Sequence, residues 1–460
     1  MVTHPADNPK YLSARSIVTA LRSAGHKAYF AGGCVRDLLL GIEAKDFDVA
    51  TSATPDVVQQ LFPKSLSVGA HFGVILVCGD NTATEVATFR NDGSYSDGRR
   101  PDAVRFSIDA REDVLRRDFT INGMLLDPAI FEETGDAGAA TLDFVNGRND
   151  LAARIVRAIG DPSLRFSEDK LRMLRAVRFA ARLDFQIESH TFAAISSAAT
   201  QIHQVSCERI RDELTRMLTE GHARRAFELL DATGLLQQIL PEAIKMHGVQ
   251  QPPQYHPEGD VWAHTMLLLE KLPPGCSPTL AWGALLHDIG KPATFRAPSP
   301  DDPSDRIRFN GHVEVGMRVA ETVLARLRFS NEDTAQIVAL IKNHMRFGDV
   351  LQMRESTLKR FLRLPRFDEH LALHRLDCLS SHGDLSLYNF AKAQFETVPA
   401  EHIQPRPLIT GRDLITAGYR PGPAFKAMLE VAEDAQLEGL VTTPEEALAI
   451  VHERFGAPAV

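Results

Sequence analysis

Apolar positions recur at helical spacing over residues 13–25, where Ile17, Val18 and Leu21 share one face. Short apolar or alternating runs follow at 27–31, 46–50, 73–78 and 83–89, as strands do, with helical patterns at 34–40 and 55–61 among them. Beyond about residue 150 the strand signals stop. From there the pattern predicts helix after helix, at 168–183, 190–199, 206–219, 222–232, 261–271, 279–288, 312–328, 332–344, 356–363 and 367–381. Loops are expected at 250–260 (QQPPQYHPEGD) and at 296–306 (RAPSPDDPSDR), dense in Pro, Asp and Ser. A break at 399–407 sets off a short tail. The pattern predicts an α+β head, a small mixed sheet with helices, followed by an all-α body.

Composition adds limits. The chain has 460 residues, 44% hydrophobic and 24% charged, which is ordinary for a soluble globular protein with a sizeable core. Its formal net charge of −9 means that any RNA must meet a local basic patch. Residues 148–182 supply one, with nine Arg or Lys against four Asp or Glu. Five cysteines stand far apart without a CxxC pair, which argues against a disulfide framework or a thiolate zinc site. No run is long enough to span a membrane, and MVTHPADNPKYLSARS contains no signal-peptide core, so the cytoplasm is the expected compartment.

Two glycines fall between an expected strand and helix in Gly32-Gly33-Cys34-Val35-Arg36-Asp37-Leu38-Leu39-Leu40-Gly41. Glycine lets a backbone approach phosphate, a helix start offers free N–H groups, and Arg36 adds a guanidinium fork for phosphate oxygens. A plain tight turn can have the same sequence, but Asp46-Phe47-Asp48 changes the reading. On a strand its two carboxylates point to one face and Phe47 to the other. Paired carboxylates repel unless cations lie between them, and hard oxygen ligands suit Mg2+ held jointly with a triphosphate. Two such ions activate a hydroxyl and stabilise a leaving pyrophosphate. Glu85, on a later strand, is either a third carboxylate of this set or a surface residue of an edge strand.

GGCVRDLLLG followed by KDFDVAT resembles the signature of polymerase-β-like nucleotidyltransferases, specifically the class II CCA-adding enzymes and bacterial poly(A) polymerases. The likeness continues in order. EVATFRNDGSYSDGRRPDAV (85–104) resembles that family's flexible loop, and RRDFTINGM (116–124) its ribose-binding motif, with Gly123 where alanine is usual. LDFVNGRNDL (142–151), RAIGDPSLRF (157–166), EDKLRMLRAVRFAARL (168–183) and ERIRDEL (208–214) follow, so the resemblance covers roughly 15–240. It implies that Arg117 and Asp118 hold a ribose and Asn122 the triphosphate region.

Asp169 and Arg172 lie three apart in the helix expected over 168–183, hence on one face, with Met173, Leu174, Val177 and Ala181 on the apolar side. Aspartate only accepts hydrogen bonds and arginine only donates them. Cytosine and adenine each set an amino donor beside a ring-nitrogen acceptor; uracil and guanine reverse both. The pair therefore takes C or A and rejects U or G, which is how the resembled family selects CTP and ATP. In isolation the same spacing is an ordinary i,i+3 salt bridge. Arg175, Arg178 and Arg182 flank that helix and suit a triphosphate and the tRNA backbone.

His264, His287-Asp288, His312, His344 and Asp377 each fall within or at the end of an expected helix. Imidazole with carboxylate suits a divalent transition metal such as Ni2+ or Mn2+, which activates water toward phosphate. YHPEGDVWAHT, LLHDIGKP, GHVEVG and NHMRF, followed by Asp377, resemble the HD phosphohydrolase superfamily over about 255–380, with Lys291 near the phosphate. The expectation is a hydrolase site; the alternative is an inherited HD fold without activity. In the tail, Tyr419-Arg420-Pro421-Gly422-Pro423 opens a helix whose N–H groups either meet an RNA phosphate or simply cap the turn.

Four segments are expected: a nucleotidyltransferase head at 1–150, a helical neck and body binding base and RNA at 151–250, an HD domain at 251–385 and a helical tail at 386–460. The resemblance implies addition of C, C and A to tRNA from CTP and ATP without a nucleic-acid template. Poly(A) polymerase shares every core motif, but SLSVGAHFGVILV (65–77) resembles the CCA type. DGSYSDGRRPD (92–102) looks complete, which favours full over partial CCA addition. A phosphohydrolase that only binds RNA through its N-terminal half is the third reading, and the Asp46/Asp48 pair argues against it. No membrane partner is expected, and no signal for an oligomeric state is visible.

Overall fold

The computed structural model describes residues 8–69, 73–92, 104–299, 301 and 305–458. They belong to two compact units, Met1–Pro241 and Glu242–Val460. Most of the DGSYSDGRRPD loop lies outside the described residues.

In the first unit, α1 (Pro9–Ser23) starts at Asn8, whose side chain accepts the Lys10 N–H. It buries Tyr11, Ala14, Ile17, Val18 and Leu21, one face at three- and four-residue spacing. That face covers a sheet of seven strands: β1 (Ala28–Ala31), β2 (Asp48–Thr51), β3 (Ser65–Gly69), β4 (Val74–Cys78), β5 (Ala83–Thr88), β6 (Met124–Leu126) and β7 (Thr141–Asp143). Their order is β3-β4-β5-β2-β1-β6-β7, antiparallel throughout except where β2 meets β5. Tyr11 packs edge-on to Phe30 and Phe47 at 5.4 and 5.3 Å between ring centres, which anchors the chain just before β2. α2 (Gly33–Leu39) follows β1 directly.

The expected strand over 46–50 begins at Asp48 in the structure, so Asp46 and Phe47 precede it. β6 and β7 have three residues each, too few for alternation to register in a sequence pattern. Past residue 150 one two-residue parallel contact, Ile155–Val156 with Gln186–Ile187, interrupts the helices.

The single helix expected over 168–183 is two: α3 (Pro162–Glu168) and α4 (Leu171–Leu183). Asp169 breaks it, with extended backbone (φ −145°, ψ 106°). Its carboxylate accepts the Leu171 N–H at 3.1 Å, a local bond that competes with helix continuation. α5 (Cys207–Thr219) packs on α4, where buried Arg178 donates from Nε to buried Glu213 Oε2 at 2.7 Å.

The second unit is helical. α6 (Val261–Glu270), α7 (Pro278–Leu286), α8 (His312–Arg326), α9 (Asn331–Asn343) and α10 (Phe367–Ser380) carry its metal-ligand candidates at or near their ends. Every α7 residue from Thr279 to Leu286 is buried, as expected of a helix apolar on all sides at the centre of a core. Buried Glu369 of α10 accepts from Ser277 Oγ, Thr279 Oγ1 and Gln336 Nε2, tying the start of α7 to α9 and α10. Among the described residues no helix is long and apolar enough to cross a membrane. The tail folds on its own apolar cluster of Leu414, Tyr419, Met428, Val441 and Val451.

Candidate functional site

The turn from β1 into α2 runs through Gly32 at φ 78°, a left-handed conformation that side chains disfavour. A Cβ there would lie at ordinary contact distance, 3.6 Å from Arg117 Nη1 and 4.0 Å from Asp48 Oδ2, so it is the positive φ that favours glycine at the edge of a cavity. That cavity, about 490 Å³, gathers Gly32, Gly33, Arg36, Asp48, Glu85, Arg117, Asp118, Asn122, Arg172, Arg175 and Arg178. Arg116, Phe179 and Arg182 also line it, with Ala31, Val49 and Ala87. Of the first candidate set, only Asp46 and Asp169 do not line it.

Burial, reinforced by the facing carboxylates of Glu85 and Asp46, raises the Asp48 carboxyl to about 6 against the pull of Arg117. A buried carboxylate with like charges nearby, as Asp48 is, is ready for a cation. Glu85 sits on β5, an interior strand, so its place is the cavity wall and not a sheet edge. Asp46 differs from expectation. Lying outside β2, it does not alternate with Asp48 on one strand face. It is exposed, and Lys10 Nζ donates to its Oδ1 at 2.6 Å and to the Lys45 carbonyl at 2.9 Å.

The arginines are largely committed to partners. Buried Arg36 donates to Asp37 Oδ1 at 2.8 Å and to Asn122 Oδ1 at 2.7 Å, so it braces the Thr120–Asn122 turn and is not a free phosphate fork. Arg117 holds Asp113 Oδ2 at 3.2 and 2.9 Å, while Arg116 holds Oδ1 of the same carboxylate at 3.0 and 2.5 Å. Burial raises the Asp113 carboxyl, but the two guanidinium groups outweigh it and keep it below its ordinary range. Arg175 grips Asp118 Oδ2 at 2.9 and 2.7 Å. Arg36, Arg175 and Arg178 stand 5.4, 5.2 and 4.5 Å from the centre of the Phe179 ring.

Asp169 and Arg172 are not partners on one helical face. Arg172 donates to Glu168 Oε2 at 2.5 Å and to the Arg165 and Arg116 carbonyls, each at 3.1 Å. Asp169 is held by Arg209 of α5. Arg209, Asp113, Arg116 and Phe179 were not singled out by sequence reasoning; Arg209 lies in ERIRDEL, whose place in the motif order was its only signal.

In the second unit, His264 on α6, His287-Asp288 after α7, His312 at the start of α8, His344 after α9 and Asp377 on α10 converge as expected. Asp288, His312, His344 and Asp377 line a cavity of about 890 Å³ whose wall also includes His256, Lys291, Arg306 and Arg308. Gly290 makes this possible: a Cβ there would come within 2.1 Å of the His312 carbonyl oxygen and 2.5 Å of Gly316 N, so only glycine lets α8 approach. His264 Nε2 lies 3.1 Å from Asp377 Oδ1 and 3.3 Å from His287 Nε2. His312 Nε2 lies 3.4 Å from His344 Nε2. Asp288 stands beside both histidine pairs, with Oδ2 3.2 Å from His287 Nε2 and 2.7 Å from Lys291 Nζ. Its Oδ1 is 3.9 Å from both His312 and His344 Nε2 and has no hydrogen-bond partner.

The Nδ1 atoms of His287, His312 and His344 face the carbonyls of Ala284, Phe309 and Ile341 at 2.9, 2.9 and 2.7 Å. That arrangement makes Nδ1 the donor and turns bare Nε2 lone pairs inward. Lone pairs this close, beside two carboxylates and an orphaned buried oxygen, suit metal ions. Among the described residues the six candidates form two donor groups, His264/His287/Asp377 and Asp288/His312/His344, and a third, His256/Glu258/His264, adjoins them. Burial pushes the His344 imidazole down to about 4. Burial also opposes charge on His264, but its bonds to the Asp377 and Glu258 carboxylates prevail and raise it to about 9.

Comparison with known proteins matches these regions in order. Residues 28–157 match the poly A polymerase head domain, 184–246 the probable RNA and SrmB-binding site of polymerase A, and 260–364 the HD domain. The CCA-adding enzyme of Lactobacillus helveticus is 40% identical over 267 residues, 57% of this chain, and that of Bacillus pumilus 37% over 285 residues, 62% of this chain. The chain spans 64% of the length of each of these relatives. Among solved structures, the Bacillus stearothermophilus CCA-adding enzyme in complex with CTP aligns with a TM-score of 0.73 at 26% identity, covering 97% of this chain and 98% of that one. A Thermotoga maritima CCA-adding enzyme complexed with tRNA shares the fold at 20% identity and a TM-score of 0.56, covering 97% of this chain and 96% of that one.

Proposed function

We propose that this chain, a homologue of the CCA-adding enzymes, adds C, C and A in turn to the 3′ end of tRNA, taking CTP and ATP and choosing the base with its own side chains. The observation that carries the reading is Asp48 facing Glu85 in a cavity walled by arginines: carboxylates for a cation beside guanidinium groups for a triphosphate. Asp46, Asp48 and Glu85 are the residues to hold Mg2+, which supplies activation of the 3′ hydroxyl and stabilises pyrophosphate. The chain's own groups do the rest. Arg117 and Asp118, each clamped by a neighbour, position the ribose. Arg175 and Arg178 offset the triphosphate charge, with Asn122 oriented by Arg36. Asp169 accepts from the amino group of C or A, and Arg172, released from Glu168, donates to the ring nitrogen. The head covers 1–150, the base- and RNA-binding neck and body 151–250, the HD domain 251–385 and the tail 386–460. The compartment is the cytoplasm. Incubating a tRNA that lacks CCA with each nucleoside triphosphate tests this reading against poly(A) synthesis.

The HD cluster favours a second activity, a metal-dependent phosphohydrolase. His264, His287, Asp288, His312, His344 and Asp377 are the residues to hold a divalent transition metal such as Ni2+ or Mn2+, which supplies an activated water. Lys291, Arg306 and Arg308 on the cavity wall suit a phosphate ester.

A further inference from the structure

The four imidazoles of the HD cluster are held in two different ways. His287, His312 and His344 each turn Nδ1 to the carbonyl three residues back. The carbonyl three residues before His264, that of Val261, accepts the Thr265 hydroxyl at 2.8 Å. His264 Nδ1 lies instead 2.7 Å from Glu258 Oε1, in the loop before α6. The same oxygen meets His256 Nδ1 at 2.9 Å. With its Nδ1 held by Glu258, His264 directs Nε2 at Asp377 and His287.

Glu258 is built in, not incidental. Its side chain is 6% exposed and its Oε2 has no hydrogen-bond partner. Asp260, two residues on, caps α6 by accepting the Ala263 N–H at 2.8 Å. One short stretch, HPEGD, therefore fixes both the helix that carries His264 and the rotation of its ring.

We propose that Glu258 is the positioning residue of the HD metal centre: its carboxylate sets the Nδ1–H tautomer and ring angle of His264 and makes Nε2 a stronger donor than a backbone carbonyl would. A carboxylate behind a ligand imidazole raises ligand basicity, and its loss typically weakens metal binding by about ten- to a hundredfold. The inference rests on the metal reading of this cluster. Sequence reasoning quoted YHPEGDVWAHT but gave Glu258 no role.

The test titrates cobalt(II) into the full-length chain with Mg2+ saturating the head, following the visible absorption of the bound ion. Glu258→Ala is expected to lose about ten- to a hundredfold in cobalt affinity and to alter the spectrum. Glu258→Gln keeps an acceptor at Nδ1 without the charge, so it should keep the wild-type spectrum with an intermediate affinity. If the alanine variant fails to fold, the glutamine variant carries the test alone. A folded Glu258→Ala, or a Glu258→Gln standing alone, that binds cobalt as tightly as wild type with the same spectrum overturns the inference. A wild-type chain that takes up no cobalt under these conditions overturns the metal reading itself, and the inference with it.

Discussion

Arg209 donates both terminal nitrogens to Asp169, Nη1 to Oδ1 at 3.2 Å and Nη2 to Oδ2 at 2.7 Å. Oδ1 also accepts the Leu171 N–H. A carboxylate has about four acceptor positions, so one on Oδ2 stays open for an amino group. Asp169→Ala should then lower the ratio of kcat/KM for CTP over UTP by roughly ten- to a hundredfold, the worth of a charged hydrogen bond of roughly 1.5–3 kcal/mol. Arg209→Ala, which frees the carboxylate without removing it, should lower the ratio less. The four nucleotides are compared on one tRNA; an unchanged ratio in Asp169→Ala would place base selection elsewhere.

Asp46 and Asp48 occupy different surroundings in the structure but are assigned the same cation. Asp48→Ala and Asp46→Ala should each abolish nucleotide transfer while tRNA binding, carried by phosphate contacts, persists. Lys10→Ala should change transfer by less than about fivefold, because exposed ion pairs are worth about 0–1 kcal/mol. Single-turnover incorporation and filter binding read both effects. Wild-type turnover in the Asp48 variant would remove the cation assignment.

Asp288 belongs to the group with His312 and His344, and its Oδ2 lies 3.2 Å from His287 Nε2 of the other. Asp288→Ala should eliminate metal-dependent phosphate release, and chelation should do the same to wild type until Ni2+ or Mn2+ is restored. Nucleotide transfer in Mg2+ should be untouched. Absence of hydrolysis in wild type with Ni2+, Mn2+, Co2+ and Mg2+ would leave an inherited HD fold without activity.

Gly123 departs from the alanine usual in the motif it resembles, and packing supplies the reason. A Cβ at this position would come within 2.7 Å of Ile159 Cδ1 and 3.1 Å of Val145 Cγ2. Gly123→Ala should destabilise by about 1–2 kcal/mol, the cost of overpacking a core. Ile159→Val deletes Cδ1, so the same alanine should cost clearly less in that background. Thermal melting of the four proteins closes the cycle, and equal penalties in both backgrounds would contradict the account.

What was legible in the chain follows from how local each cause is. The turn at Gly32-Gly33 and the convergence of the HD-cluster side chains were readable because tight turns and clustered imidazoles and carboxylates demand particular residue types. The position of Asp46 was not, since β2 begins where Asp48 pairs with Ala31, a partner supplied by another strand. Glu168 to Leu183 reads as one helix; the break at Asp169 comes from its bond to Leu171 and from Arg209, forty positions away. Glu258 gave no signal either, because its role appears only when the loop folds back onto α6.

The central claim is tested most directly by giving the purified chain a labelled tRNA that ends before CCA, with CTP and ATP, and resolving the products at single-nucleotide length. The account predicts growth by C, C and A and then arrest, with CTP alone giving the two cytidines. A long adenosine tail grown from ATP alone would contradict it and identify a poly(A) polymerase.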